Sequence, residues 1–349
     1  MMISFTNDYS QGACPQILTA LAAENLRPNP GYGCDSHCAA AAARIRALTG
    51  RPDADVHFLV GGTPANLISL TAFLRPHQAA IAATTGHIAV HESGAIEGAG
   101  HKVCTIPAAD GKLTPALVRA VCAEYDNDTR EHMVQPKLVY ISDTTEIGTV
   151  YTKSELAALR EVCNELGLYL YLDGARLASA LTCAANDLTL ADIAALTDAF
   201  YLGGTKNGAL MGEALVILNS ALKPDFRYIE KQRGGMLAKG WLMGAQFEAL
   251  MSDDLYGRLS RHAVGLAMRL KHGLRELGVP FLSDSPSNQQ FPILPNDVIV
   301  ALRRQFAFQA IEVVDESHTG VRFCTSWYTN PTDVEALLAA LAEHIVDSR

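Results

Sequence analysis

A lysine and an aspartate each follow a short apolar stretch of the 349-residue sequence. Lys206 lies in "AFYLGGTKNGA", and Asp173 ends "LYLYLD". A lysine held among small residues in a partly dry site has a depressed pKa, and its amine can form a Schiff base with a carbonyl carbon. A carboxylate beside it can pair with the protonated ring nitrogen of pyridoxal phosphate, which makes that ring an electron sink. Most lysines lie on the surface, but the apolar and glycine-rich flanks of Lys206 favour this chemistry.

Two further stretches could bind anions. Arg176 follows Asp173 by three residues and would face anionic oxygen. In "FLVGGTPANL", Gly62 and Thr63 stand between a predicted strand and a predicted helix, where free N–H groups and the positive helix end can hold a phosphate. Taken alone this loop is equally well an ordinary tight turn, because it lacks the G-x-G-x-x-G spacing and the Walker lysine. A nucleotide-binding protein using residues 60–66 would need an acidic residue after the next strand, and "AAIAATTGH" has none there.

Strand-like and helical patterns alternate through about the first 220 residues, which predicts βαβ units and a mainly parallel sheet. The predicted strands are "DVHFLV", "AAIAAT", "KLVYIS", "LYLYLD", "AFYLGG" and "EALVIL", and the predicted helices include "TPANLISLTAFL", "TPALVRAVCAEY" and "KSELAALREVCNELG". Ligands of open parallel sheets bind beyond the carboxyl ends of the strands. The singled-out residues follow such ends, so we expect them to meet.

The pattern becomes mostly helical after about residue 221 and then contains "QFPILP", "FAFQAIEVVD" and "GVRFCTSW", which predict a small α/β domain. We expect an N-terminal segment over residues 1–30 that contributes to the active site. A large cofactor-binding domain is expected over residues 31–250, and a small C-terminal domain over residues 251–349.

Composition narrows the class of protein. The formal net charge is -9 with no basic tract, which argues against a nucleic-acid partner. No apolar run is long enough to cross a bilayer, and the first residues lack the regions of a signal peptide. The eight cysteines have no paired C-x-x-C spacing and indicate reduced thiols in a cytoplasm. We therefore expect a cytoplasmic enzyme that acts on a small molecule.

Motifs along most of the chain resemble those of the threonine aldolase and β-eliminating lyase family of fold-type I pyridoxal phosphate enzymes. They are "NDY" (7–9), "YGCDS" (32–36), "GGTPAN" (61–66), "TGHIAVHESGAIE" (85–97), "LDGARLASA" (172–180), "GGTKNG" (203–208), "QRGGMLAKG" (232–240) and "VRFCTSW" (321–327). The resemblance implies an aspartate aminotransferase-like large domain, with a seven-stranded, mainly parallel sheet between helices, and a small C-terminal α/β domain.

The resemblance also implies roles for individual residues. Lys206 would be the Schiff-base lysine, Asp173 the partner of the pyridine nitrogen, and His87 the residue stacked on the cofactor ring. The remaining cofactor contacts would come from Gly62, Thr63, Thr205 and Arg176.

The substrate carboxylate would be gripped by Arg176 and Arg322, since guanidinium matches carboxylate geometry. Asn7 stands where the family usually has a serine that contacts the same carboxylate. Tyr32 and Arg233 would reach into the neighbouring subunit of a homodimer or homotetramer with shared active sites. Strand alternation leaves it equally open that Arg322 points to solvent, and Arg233 fits a solvated charge run. His87 and His91 lack a third ligand for a metal site, so no metal is expected.

The implied reaction is cleavage of L-threonine, L-allo-threonine or a related β-hydroxy-α-amino acid to glycine and an aldehyde. This cleavage needs a base near the hydroxyl group. The family commonly has a histidine in an Asn-Thr-His context, but "ISDTTEIGTV" places Thr145 there, and a threonine cannot act as a general base at neutral pH. Three alternatives stay open: His87 is the base; a water held by Glu146 or the phosphate is the base; or the reaction is β-elimination or transamination.

Overall fold

The computed structural model describes residues 2–347. Its strands are β1 (Ile3–Ser4), β2 (Asp55–Leu59), β3 (Gln78–Ala83), β4 (Val103–Ile106), β5 (Gln135–Ser142), β6 (Tyr169–Asp173), β7 (Ala199–Gly203), β8 (Glu213–Ile217), β9 (Phe281–Ser283), β10 (Gln289–Pro295), β11 (Phe306–Ala307), β12 (Gln309–Val313) and β13 (His318–Cys324). Its α-helices are α1 (Pro15–Glu24), α2 (Ser36–Thr49), α3 (Gly62–Phe73), α4 (His87–Val90), α5 (Ala95–Gly98), α6 (Pro115–Glu124), α7 (Lys153–Leu166), α8 (Leu177–Thr182), α9 (Leu190–Leu196), α10 (Phe226–Gln232), α11 (Trp241–Leu250), α12 (Leu255–Glu276), α13 (Asn296–Leu302) and α14 (Pro331–Asp347).

Seven strands form the large sheet in the order β2-β8-β7-β6-β5-β3-β4. β8 runs antiparallel to both of its neighbours, and the other pairs are parallel. The predicted seven-stranded, mainly parallel sheet is therefore confirmed, and all six strands predicted from apolar runs are present. The edge strand β4 was not predicted from the sequence, because it is only four residues long and only two of its residues are buried.

Alternating side chains of the sheet form two separate apolar cores, one on each face. Leu138, Tyr140, Tyr171 and Tyr201 belong to one core, while their strand neighbours belong to the other. Helices cover both faces, and their ends carry the expected signals. In α7, Thr152 and Glu155 form a reciprocal capping box, and Gly167 ends the helix with a φ of 65°.

The C-terminal part contains a four-stranded antiparallel sheet in the order β12-β13-β10-β9. Its core includes Leu294, Val321 and Phe323, and it also takes in Phe5 from the N-terminus. β1 pairs with β11, which ties the first residues of the described chain to this part. The 22-residue helix α12 packs against both α8 and α14, so it bridges the two sheets. No helix within residues 2–347 has the length and apolar character needed to span a membrane.

Candidate active site

A cavity of about 470 Å³ lies beyond the carboxyl ends of β5, β6 and β7. Parallel strands bring these ends to one edge of the sheet, which is where ligands of such folds bind. Most of the residues singled out from the sequence line it: Gly62, Thr63, His87, Asp173, Arg176, Thr205, Lys206 and Arg322. The chemistry-bearing residues, although up to 260 positions apart in the sequence numbering, therefore share one chamber.

Asp173 is the buried carboxylate of the cavity. Its Oδ2 accepts hydrogen bonds from Asn66 Nδ2 at 2.9 Å and Tyr140 Oη at 2.6 Å, and its Oδ1 accepts one from Tyr201 Oη at 2.5 Å. Burial alone would raise the pKa of Asp173, but these three donors outweigh burial and hold it below its ordinary value. The site therefore keeps a negative charge at the position expected to face a cationic ring.

Lys206 lies three residues beyond β7 and lines the same cavity. Burial lowers its pKa and the positive charge of Arg176 lowers it further, although the negative charges of Asp8, Asp173 and Glu213 oppose this. No side chain within residues 2–347 makes a hydrogen bond or an ion pair with its amine. A lysine with a lowered pKa, whose amine makes no hydrogen bond to a described side chain, is suited to attack a carbonyl carbon.

Glu213 is a second buried carboxylate beside Lys206. β8 pairs Glu213 with Gly203, and Oε2 of Glu213 accepts the Gly204 N–H at 2.9 Å. Burial raises the pKa of Glu213 to about 8. The β7–β8 pair thus holds both the loop that carries Lys206 and the side chain of Glu213.

The start of α3 forms a cradle at the cavity wall. Gly62 and Thr63 open this 12-residue helix, and no side chain caps it. A Cβ atom at Gly62 would lie 3.0 Å from Tyr201 Oη, so a larger residue there would press the Tyr201 hydroxyl group out of place. Thr205 lies at the same cavity, where its Oγ1 accepts the Gly212 N–H at 2.9 Å. Free N–H groups and the helix dipole make this corner suited to a phosphate.

His87 is oriented by a buried acid. Its Nδ1 lies 2.7 Å from Glu92 Oε1, which also accepts a hydrogen bond from Asn66 Nδ2 at 2.7 Å. Asn66 therefore links the His87–Glu92 pair to Asp173. The ring of His91 lies next to that of His87, with 5.5 Å between ring centroids.

The two arginines of the cavity differ in how they are held. Arg176 Nε and Nη2 donate to the two carboxylate oxygens of Asp8, at 2.8 and 3.0 Å. Arg322 contacts Gln289, Gln309 and the Thr6 carbonyl, but its buried Nε has no hydrogen-bond partner within the described residues. Arg322 thus keeps an unsatisfied donor beside the cavity, while Arg176 already has an anionic partner in the protein.

Three predicted substrate contacts lie away from this cavity. Asn7 Oδ1 accepts hydrogen bonds from the Tyr9 N–H and from Ser10 Oγ, which stabilises a turn. Tyr32 lines a different cavity, and Lys231 Nζ lies 4.6 Å from the centroid of its ring. Arg233 is exposed just after α10. Within one described chain, these three side chains do not meet the residues around Lys206.

Thr145 does not line the cavity, whereas its neighbours Thr144 and Glu146 do. Thr145 is buried, and its Oγ1 lies 2.7 Å from Thr149 Oγ1. Glu146 Oε1 accepts hydrogen bonds from Ser142 Oγ at 2.7 Å and from the His87 N–H at 2.9 Å. The side chain of Glu146, and not that of Thr145, thus lines this wall of the cavity.

The donors and acceptors of the cavity fit pyridoxal phosphate. The amine of Lys206 makes no hydrogen bond or ion pair with a side chain of residues 2–347, no described side chain caps the start of α3, and three hydrogen-bond donors hold the pKa of Asp173 below its ordinary value. The amine suits the aldehyde of the cofactor, the helix start suits its phosphate, and the carboxylate suits its protonated ring nitrogen. Residues 2–347 contain no group of three histidine, cysteine or acidic side chains placed to hold a metal ion.

Several residues of the site were not predicted from the sequence. Asp8 stands inside the quoted "NDY", and Asn66 inside "GGTPAN", but neither had an assigned role. Tyr140, Tyr201 and Glu213 lie within apolar strands, and only the strand register shows that they face Asp173 or Lys206. Their signal was a polar atom in an otherwise apolar strand, which in a buried position needs a partner.

Comparisons with known proteins agree with this geometry. The sequence pattern that defines the beta-eliminating lyase family matches residues 6–313 of this chain. The chain is 33% identical over 336 residues to a low specificity L-threonine aldolase from Pseudomonas aeruginosa, which covers 95% of this chain and 94% of that relative.

Solved structures show the same relationship. The structure of threonine aldolase from Leishmania major is 51% identical, has a TM-score of 0.96 and covers 98% of this chain and 99% of that one. Aspartate aminotransferase from Thermus thermophilus is 17% identical with a TM-score of 0.72, covering 98% and 91% of the two chains. This second likeness concerns the fold alone, and it confirms the predicted fold-type I architecture.

Proposed function

The chain belongs to the β-eliminating lyase family, and from this membership we propose that it is a pyridoxal 5'-phosphate-dependent aldolase that cleaves L-threonine or L-allo-threonine to glycine and acetaldehyde. Related β-hydroxy-α-amino acids would be cleaved to glycine and the corresponding aldehyde. The observation that carries the proposal is one cavity that holds the Lys206 amine, the Asp173 carboxylate and Arg322; within residues 2–347 the amine makes no hydrogen bond or ion pair, and Nε of Arg322 has no acceptor. The likeness to threonine aldolases over nearly the whole chain supports it.

Pyridoxal phosphate, when bound, supplies an electron sink for bonds at the amino acid Cα. We propose that Lys206 is its covalent attachment point and that Asp173 pairs with its ring nitrogen. Gly62, Thr63 and Thr205 would hold the phosphate at the start of α3. His87, fixed through Glu92, would lie against the ring.

The substrate carboxylate would bind to Arg322, whose buried Nε lacks a partner within residues 2–347. Planar guanidinium matches a carboxylate in geometry and in charge. Arg176 would support this end of the cavity through Asp8, with Asn7 in the neighbouring turn. Holding the carboxylate orients the substrate, and orientation decides which bond at Cα breaks.

Incubation of purified enzyme with L-threonine, L-allo-threonine, phenylserine, serine and tyrosine tests the proposal. We expect an aldehyde and glycine from the β-hydroxy substrates. Pyruvate and ammonia without an aldehyde would refute aldol cleavage and indicate β-elimination. The variant Lys206→Ala is expected to lose the visible absorption band of the bound cofactor, and retention of that band would refute the assignment of Lys206.

We also propose a homodimer or homotetramer with shared active sites, to which Tyr32 and Arg233 contribute from the neighbouring subunit. Both side chains are exposed and lie outside the cavity of their own chain, which supports this arrangement. Mixing Lys206→Ala with Arg233→Ala and refolding them together tests it, because a hybrid assembly contains a site with neither substitution. We expect partial recovery of activity, and no recovery over either parent would refute sharing.

Two further features complete the proposal. We propose a division into an N-terminal segment (1–30), a large cofactor-binding domain (31–250) and a small domain (251–349), supported by the separate sheets and by the end of α11 at Leu250. Limited proteolysis near residue 250 tests this division. A cytoplasmic location is supported by eight free cysteines and is tested by fractionation.

A further inference from the structure

We propose that Glu146 takes the proton from the β-hydroxyl group of the substrate, the role that Thr145 cannot perform. This inference rests on the proposed function, because only a β-hydroxy amino acid carries that proton. The sequence left open a water held by Glu146 as the base, and here the Glu146 carboxylate itself takes that role.

The position of Thr145 removes it from the reaction. Its hydroxyl group is buried against Thr149, and the Thr145 side chain does not line the cavity. Glu146, one residue later, does line it, together with Thr144, His87 and His91. The backbone after β5 thus directs the carboxylate of Glu146 toward the cavity and the side chain of Thr145 away from it.

The hydrogen bonds of Glu146 leave one oxygen free to accept a proton. Ser142 Oγ and the His87 N–H both donate to Oε1, at 2.7 and 2.9 Å. Oε2 accepts no hydrogen bond within residues 2–347, and it is not among the buried atoms that lack a partner. Two donors on a single oxygen hold the carboxylate in place, and the second oxygen stays available to a ligand.

The charge environment suits a base. Burial raises the pKa of Glu146, and the nearby charge of Asp173 raises it further, although Ser142 and backbone groups oppose this. The other ionisable groups that face Glu146 are Tyr140 on β5, Tyr151 and His87 at the start of α4. A carboxylate with a raised pKa is a stronger base than an exposed one.

The histidines of the cavity are less suited to the task. Nδ1 of His87 lies 2.7 Å from Glu92 Oε1, which also binds Asn66, and this network fixes the His87 ring where the proposed function has it lie against the cofactor. Burial lowers the pKa of His91, and the charge of His87 lowers it further, so His91 accepts a proton less readily than an exposed histidine. Glu146 differs from these histidines in two ways. Its Oε1 is fixed by Ser142 and by the His87 N–H, and its Oε2 has no hydrogen-bond donor among the described residues.

The proton balance of the step is simple. The β-hydroxyl O–H bond breaks, and its proton moves to Oε2 of Glu146. The electron pair of that bond forms the second carbon–oxygen bond of the aldehyde, and the Cα–Cβ bond breaks. Its electron pair stays with Cα, which becomes the Cα of glycine when it takes up a proton.

The variant Glu146→Gln tests this role, because the amide keeps the shape of the side chain but cannot accept the proton as a base. We expect kcat for threonine cleavage to fall by about 10²- to 10⁴-fold, the usual contribution of a general base. Exchange of the glycine α-proton with deuterium, followed by NMR, needs no hydroxyl group and is expected to continue. Glycine binding, measured from the cofactor spectrum, is expected to stay close to that of the wild type.

Two further variants serve as controls. Glu146→Asp keeps a carboxylate at a shorter reach and is expected to retain more cleavage than Glu146→Gln. Asp143→Asn alters another buried acid of the same loop, whose side chain does not line the cavity, and is expected to cleave threonine normally.

The outcomes separate the two proposals. Wild-type enzyme that releases no aldehyde would refute the proposed function itself. If the wild type cleaves threonine and Glu146→Gln cleaves it nearly as fast, only the role of Glu146 is wrong. A parallel loss of cleavage and glycine exchange in Glu146→Gln would also overturn that role, because it would show an effect on the bound cofactor or on the fold.

Discussion

Replacing Asp8 with asparagine removes the only carboxylate that contacts Arg176 within residues 2–347. Asp8 is 1% exposed, and it accepts two hydrogen bonds from Arg176 and one from Asn288 Nδ2 at 3.0 Å. Burial would raise the pKa of this carboxyl group, but the positive charges of Arg176 and Lys206 and the hydrogen bonds bring it down to about 2. The variant leaves a buried guanidinium without its counter-charge.

The size of the effect follows from that pKa. An aspartate in an unfolded chain has a pKa near 3.9, so ionisation of Asp8 stabilises the folded chain by about 2 to 3 kcal/mol near pH 7. The unpaired charge of Arg176 adds a desolvation cost, and loss of one partner of a buried pair typically costs about 3 to 5 kcal/mol. We therefore expect Asp8→Asn to lower the free energy of unfolding by about 3 to 5 kcal/mol.

The pH dependence has a defined sign. Because the pKa of Asp8 is lower in the folded chain than in the unfolded one, its contribution is complete above about pH 4 and is lost as the pH falls toward about 2. The difference in stability between wild type and Asp8→Asn should therefore stay constant near neutral pH and shrink only in this acid window.

Urea unfolding of the cofactor-loaded protein at one fixed protein concentration measures the effect, since an oligomer's stability depends on concentration. Asp53→Asn is the matched control. Arg51 also donates two hydrogen bonds to Asp53, at 2.9 and 2.8 Å, and the pKa of Asp53 is also about 2, but Asp53 is exposed. Solvent screens such a pair, so the control is expected to unfold almost like the wild type. If Asp8→Asn were no less stable than Asp53→Asn, the argument from burial would be refuted.

Two more substitutions give expected outcomes. Gly62→Ala places a methyl group 3.0 Å from Tyr201 Oη, which donates a hydrogen bond to Asp173. We therefore expect the cofactor to bind at least about tenfold more weakly in a spectroscopic titration. Gly98→Ala is the control because no atom lies within 4 Å of its added methyl group, and equal cofactor affinities of the two variants would contradict the close-packing argument. Burial raises the pKa of Asp143 to about 8, so the folded chain binds a proton there that the unfolded chain releases at lower pH. Wild-type stability should therefore fall relative to Asp143→Asn as the pH rises from about 4 to about 8, and parallel stability curves over that range would show that Asp143 does not titrate there.

The sequence alone determined the frame of the protein. Apolar runs such as "KLVYIS" and "AFYLGG" must be buried, and their alternation with helical patterns leads to a mainly parallel sheet. The same pattern placed Asp173 at the end of one predicted strand and Lys206 just past another, and the flanking glycines indicated a tight site. These features are local, because they depend on residue type and on spacing along the chain.

Tertiary structure decided which side chains meet. Asp8 reaches Arg176 across 168 positions, and Asn66 links Glu92 to Asp173, although no local pattern marks these contacts. The register of the large sheet decided that Tyr140, Tyr201 and Glu213 face the site. The turn after β5 decided that Glu146 rather than Thr145 lines the cavity. Such contacts depend on how separate elements pack, and packing is settled only when the whole chain buries its apolar faces and finds partners for its buried charges.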